Sequence, residues 1–181
     1  TSVAEIPPEK ARSQAMQLYQ RAGEWHARGD AAGEEDALRR ASAADPTFSR
    51  AWVSLGNLHL QHEKRREAEA AYGAAITANE HYVYVAEAYS NLGAVLSADK
   101  QRYAEAEASY RSALAADPLH PAETLYNLAN LLSALSHGRS QEAEELFEEA
   151  ITKNIGNSSG YLNLANLVQR SSQSAPLPST E

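Results

Sequence analysis

The sequence predicts an all-α protein, a solenoid of repeated helix pairs, on three observations. Asparagine recurs at equal intervals of 36 residues, at Asn91, Asn127 and Asn163, inside the related segments NLG, NLANL and NLANL. The apolar residues around each asparagine carry the helical period. Only 9 Gly and 7 Pro interrupt 181 residues rich in Ala, Leu, Glu, Gln and Arg, side chains that lose little rotamer freedom in a helix.

Each unit reads as one helix with a large residue, Leu and a small residue, then a second helix with Ala, an aromatic and Ala. The first unit is degenerate: Leu18, Ala22 and Trp25 precede Leu38, Ala41 and Pro46, and Glu34 stands where a small residue is expected. The second is the clearest, with Trp52, Leu55 and Gly56 followed by Ala68, Tyr72 and Ala75. The third has Tyr89, Leu92 and Gly93, then Ala106, Tyr110 and Ala113, and closes at Pro118. The fourth has Leu125, Leu128 and Ala129, then Ala143, Phe147 and Ala150. A fifth begins with Tyr161, Leu164 and Ala165 and stops, because SSQSAPLPSTE has no helical period. The small residues allow close helix approach, the aromatics fill the space between layers, and proline after Asp45 and Asp117 ends the second helix.

This pattern resembles the tetratricopeptide repeat family, whose unit is about 34 residues. The resemblance implies a right-handed α-solenoid of antiparallel helix pairs. It divides the chain into an N-terminal extension (1–9), an array of about four repeats plus one unpaired helix (10–170), and a disordered tail (171–181). Extra residues in NEHYVYVAEAY, LSADKQRY and LSALSHGRSQEA lengthen the connections, which is a cheap change in a turn. The segment around Tyr82 and Tyr84 either extends a helix or presents aromatics.

In this family the first helix of each unit lines a concave groove. The resemblance places there Val53, Ser54 and Asn57; Ser90, Asn91 and Ala94; Tyr126, Asn127 and Asn130; and Leu162, Asn163 and Asn166. Residues three apart share a helix face, which pairs Asn127 with Asn130 and Asn163 with Asn166. A carboxamide offers donors and acceptors and suits the backbone of an extended peptide, with Tyr126 and Arg50 left to confer specificity. The ladder is similar to that of the superhelical array of O-GlcNAc transferase. The competing role for these asparagines is to bridge adjacent first helices or to hold water. A chaperone-type clamp on a terminal carboxylate fits poorly, because Tyr19, Val53, Ser90, Glu87 and Glu123 stand where basic residues are needed and only Arg50 and Asn57 match.

The net charge of −8 argues against nucleic acid and against direct membrane contact, since both need clustered Lys and Arg. No apolar run is long enough to span a bilayer. With Thr1 in place of methionine, a leader or a neighbouring domain is allowed for. Zero Cys excludes disulfides and thiolate chemistry. His59 and His62, beside Glu63, have a spacing open to metal, but without a third ligand His59 reads as a satisfied structural histidine. Glu142, Glu145 and Glu149 read as a solvated stripe. No phosphate loop and no nucleophile triad is visible, so neither enzymatic activity nor a cofactor or metal is expected.

The expected function is a protein or peptide interaction module binding an extended segment. One alternative is a substrate-selecting or regulatory arm of a larger enzyme such as a glycosyltransferase; another is a structural self-assembly module. YLNLANLVQR and LYNLANLL also resemble lumenal repeats of O-mannosyltransferases, and Asn157-Ser158-Ser159 is a glycosylation acceptor pattern. The expected compartment is the cytoplasm, with a secretory lumen as the alternative. The apolar stripe Tyr161, Leu164, Ala165 and Val168, lacking a covering helix, suggests a homodimer through the C-terminal helix or packing on further sequence.

Overall fold

The computed structural model describes residues 7–119, 122–135, 138–153 and 158–174, and every described element is helical. The helices are α1 (Pro8–Ala27), α2 (Ala31–Ala44), α3 (Ser49–Gln61), α4 (Arg65–Ala78), α5 (Tyr82–Leu96), α6 (Tyr103–Ala116), α7 (Ala122–Ala134), α8 (Ser140–Lys153) and α9 (Ser158–Ser174). A 3-10 turn at Lys100–Arg102 takes up the extra residue before α6. Asn157 and residues 175–181 lie outside the described residues. The last helix runs to Ser174, past the boundary expected at residue 171.

Local chemistry sets the ends. Pro8 opens α1, where its missing N–H costs nothing. Gly29 turns the chain with φ of +72°, a conformation open to a residue without Cβ, and the Asp30 carboxylate accepts the Gly33 N–H at 2.9 Å to start α2. Asp45 ends α2 in extended geometry before Pro46, and Asp117 does the same for α6 before Pro118.

The helices pair as α1 with α2, α3 with α4, α5 with α6 and α7 with α8, and each second helix also packs on the next first helix. The result is a right-handed solenoid with α1, α3, α5, α7 and α9 as its inner layer. Aromatics fill the crossings as the sequence predicts. A Cβ added to Gly56 would sit 2.5 Å from the Tyr72 ring, and one added to Gly93 would sit 2.7 Å from Tyr110. In the first unit the roles are exchanged: Trp25 of the first helix lies over Gly33 of the second, leaving 2.7 Å for a Cβ.

Adjacent units are also stapled on their outer side. Lys64 Nζ reaches Glu35 at 3.0 Å, Arg102 grips Glu69 with two bonds of 2.8 and 2.7 Å, and Arg139 grips Glu107 at 2.9 and 3.0 Å. In each case a cation just before a second helix holds a glutamate on the preceding second helix. The bidentate guanidinium geometry makes the last two the more directional. Glu142, expected to be solvated, instead joins this network, accepting from Arg111 at 2.5 Å and Arg139 at 2.6 Å.

Candidate functional site

The concave face is built from the first helices, and its order follows from which residue sits two places after the motif leucine in one unit and one place before it in the next. Between α3 and α5 these are Asn57 and Asn91, and Asn91 Nδ2 donates to Asn57 Oδ1 at 2.9 Å. Between α7 and α9 they are Asn130 and Asn163, bonded at 2.7 Å. Between α5 and α7 the pair is Ala94 and Asn127, and between α1 and α3 it is Gly23 and Ser54, so neither junction can form the amide bridge. Hydroxyls link the helices there: Tyr19 to Ser54 at 3.1 Å and Thr124 to Ser90 at 3.0 Å. Amide and hydroxyl junctions alternate along the groove.

The bridging amides are tied into the core. Asn57 Oδ1 also accepts from the Tyr72 hydroxyl at 2.7 Å, and Tyr72 is 0% exposed. Burial pushes the Tyr72 phenol up to about 12, so it donates at any ordinary pH. Asn163 Nδ2 also donates to the Tyr126 hydroxyl at 2.8 Å, and the Tyr126 ring stands edge-on to the buried Phe147. Among the described residues, the side-chain amides of Asn127 and Asn166 make no hydrogen bond, and Asn166 is exposed. The ladder therefore divides into locked amides and free ones.

Arg50 is exposed on α3, with its guanidinium 4.9 Å from the Tyr19 ring of α1 and 5.8 Å from the Tyr84 ring of α5. The segment around Tyr84 does several jobs. Asn79 ends α4 in left-handed geometry, Glu80 accepts the Ser49 N–H at the start of α3, and α5 begins at Tyr82, which stacks on His81 while remaining exposed. Both readings of this insertion hold, since it extends a helix and presents an aromatic.

One groove assignment needs correction. Val53 is 3% exposed and belongs to the core around Tyr72, because its side of α3 faces α4 and α5. Leu162, which the repeat register places in the groove, is 62% exposed, and Leu167, not singled out in the sequence, turns inward and is buried. His59 is buried as expected but not satisfied, for its Nδ1 has no hydrogen-bond partner, and burial lowers its pKa. His62 is exposed at the end of α3. Among the described residues no group of three or more potential metal ligands converges.

The sequence reading missed the floor of the groove between α1 and α3. A cleft of about 300 Å³ opens there over Ala22, Leu38 and Leu58, with Glu34 and His26 at one side. The signal was present in Gly23 and in Glu34, both of which depart from the register of the other units. A smaller cleft, about 190 Å³, opens between α5 and α7 with Glu87 and Glu123 on its walls.

Tetratricopeptide repeat models match residues 84–153 and residues 49–82. No curated protein matches at a significant level. Among solved structures, that of MamA is similar with a TM-score of 0.74 at 18% identity, covering 88% of this chain and 84% of that one. YrrB, described as having an unusual peptide-binding site, gives 0.70 at 17% identity, covering 92% and 82%. The first repeat domain of Spaghetti (RPAP3), bound to the HSP90 peptide SRMEEVD, gives 0.61 at 23% identity, covering 70% and 96%.

Proposed function

The chain belongs to the tetratricopeptide repeat family, and on that premise we propose that its concave face binds an extended segment of another protein, without catalysis. The observation that carries the reading is the division of the ladder. Asn57, Asn91, Asn130 and Asn163 hold neighbouring helices in register, while Asn127 and Asn166 present amides with free donors and acceptors. A free carboxamide pairs with a backbone N–H and C=O of any sequence. At about 1 kcal/mol net per bond, against the entropy of association, such contacts alone give affinities of about micromolar order. The peptide-binding neighbours YrrB and RPAP3 support the mode, not the ligand.

No helix among the described residues is long and apolar enough to cross a membrane. The compartment proposed is the cytoplasm.

Selection of random unstructured peptides on the immobilised chain tests the reading. Peptides recovered should lose about tenfold in affinity to the double variant Asn127→Ala, Asn166→Ala, with the melting temperature unchanged. Peptides that bind the double variant as tightly as the parent would refute a groove mode.

Self-assembly through α9 is a second reading, favoured by Tyr161 and Leu162, which are 48% and 62% exposed.

A further inference from the structure

We propose that the segment bound in the groove is basic, with Lys or Arg side chains entering the two clefts at the junctions that lack an amide bridge. The proposal deepens the groove reading and rests on it.

The first cleft is defined by a departure from the repeat. Where the second, third and fourth units place the fully buried Ala68, Ala106 and Ala143, the first places Glu34. A carboxylate at a close helix crossing needs room, and Gly23 and the missing amide bridge provide it. His26 Nδ1 lies 3.0 Å from Glu34 Oε2, its N–H donating to the carboxylate and fixing it at the side of the cleft. The floor is apolar, formed by Ala22, Leu38 and Leu58, and the opposite wall is neutral, with Ser54, Asn57 and Gln61. No Lys or Arg lines the cleft. An apolar trough with a carboxylate at its end matches an alkyl stem carrying a cationic tip.

The second cleft repeats the chemistry with different residues. Glu87 of α5 and Glu123 of α7 flank it, Val83, Ala86 and Ala113 supply apolar wall, and again no Lys or Arg lines it. Asp117 also lines it, its carboxylate accepting the Leu119 N–H at 3.0 Å. Between the two clefts stands Arg50, stacked on Tyr19 and Tyr84, which disfavours a cation in the middle of the ligand. The ligand pattern is thus basic, then neutral or acidic, then basic. The clefts are two helix steps apart, roughly 20 Å, so an extended chain at about 3.3 Å per residue places its two cations about six residues apart. The net charge of −8 would speed the approach of such a segment.

Three N-acetylated, fluorescein-labelled peptides of Ala, Ser and Thr test this by anisotropy at low salt. They differ only at two positions six apart, which carry Arg, Gln or Glu; SRMEEVD serves as an acidic control. The Arg peptide should bind about tenfold or more tighter than the Gln peptide, with the Glu peptide and SRMEEVD weakest. Glu34→Gln alone, and Glu87→Gln with Glu123→Gln, should each weaken the Arg peptide by about threefold to fivefold and leave the Gln peptide unchanged, as expected of partly exposed ion pairs. Equal binding of the Arg and Gln peptides would overturn the charge selection and leave the groove reading intact. Failure of every peptide to bind would overturn both.

Discussion

Asn91 donates to Asn57 at 2.9 Å, whereas the equivalent Asn127 faces Ala94 and finds no amide to donate to. The same residue type in the same register is structural at one junction and free at the next, and the two classes should separate in stability measurements. Asn57→Ala removes the acceptor of the buried Tyr72 hydroxyl and should cost about 1–3 kcal/mol, the desolvation penalty of an orphaned buried donor. Asn127→Ala should stay within about 0.5 kcal/mol of the parent. Urea unfolding of both variants checks the split; equal effects would mean that the observed bond does not contribute.

Glycines give a second contrast. A Cβ at Gly93 would meet the Tyr110 ring at 2.7 Å, while one at Gly73, also within a helix, would have nothing within 4 Å. Gly73→Ala should therefore stabilise by about 0.5–1 kcal/mol through helix propensity. Gly93→Leu should destabilise by about 1–3 kcal/mol by overpacking, with Gly93→Ala falling between. Thermal melts of the set check the order.

The outer staples carry a pH dependence. Hydrogen bonds from Lys64, Arg102 and Arg139 hold the Glu35, Glu69 and Glu107 carboxyls below their ordinary value of 4.5. A carboxylate with a depressed folded pKa stabilises the fold above its unfolded pKa, and that contribution is lost as pH falls through the folded value. Melting temperature should accordingly fall as pH drops from about 5 to about 3, and fall less in the double variant Arg102→Gln, Arg139→Gln. Parallel curves for the two proteins would show that the staples contribute nothing.

Helix pairing and the close crossings were legible because each follows from local period and residue size. Gly56 against Tyr72 and Gly93 against Tyr110 are readable from spacing alone. Bridging of adjacent first helices was legible only as the competing role for the asparagines, and which of them bridge was not. Spacing groups Asn127 with Asn130 on one helix face, but the bonds run between helices, from Asn163 to Asn130 and from Asn91 to Asn57. Stacking of repeats sets which neighbours meet, and a small residue such as Ala94 silently deletes a partner. The staples escaped for a related reason: Lys64, Arg102 and Arg139 sit just ahead of second helices, and their glutamates lie a full unit earlier.

For α9, the self-assembly reading expects a dimer that dissociates on dilution. Sedimentation velocity across a wide concentration range should show it, and Leu162→Glu with Tyr161→Lys should leave a monomer with an unchanged melting temperature. A parent chain that sediments as a monomer throughout would discard this reading and leave the groove.

The proposed groove binding places the ligand on the inner layer of first helices. Two-dimensional NMR of the uniformly nitrogen-labelled chain, including the asparagine side-chain amides, tests it most directly when titrated with a selected peptide. Groove binding should shift the side chains of Asn127 and Asn166 and the backbone of Ser54, Glu87 and Ser90, with little change on the outer helices. Shifts concentrated instead around Ala70 and Ala74 of α4, or at the outer staples, would place binding on the convex side and contradict it.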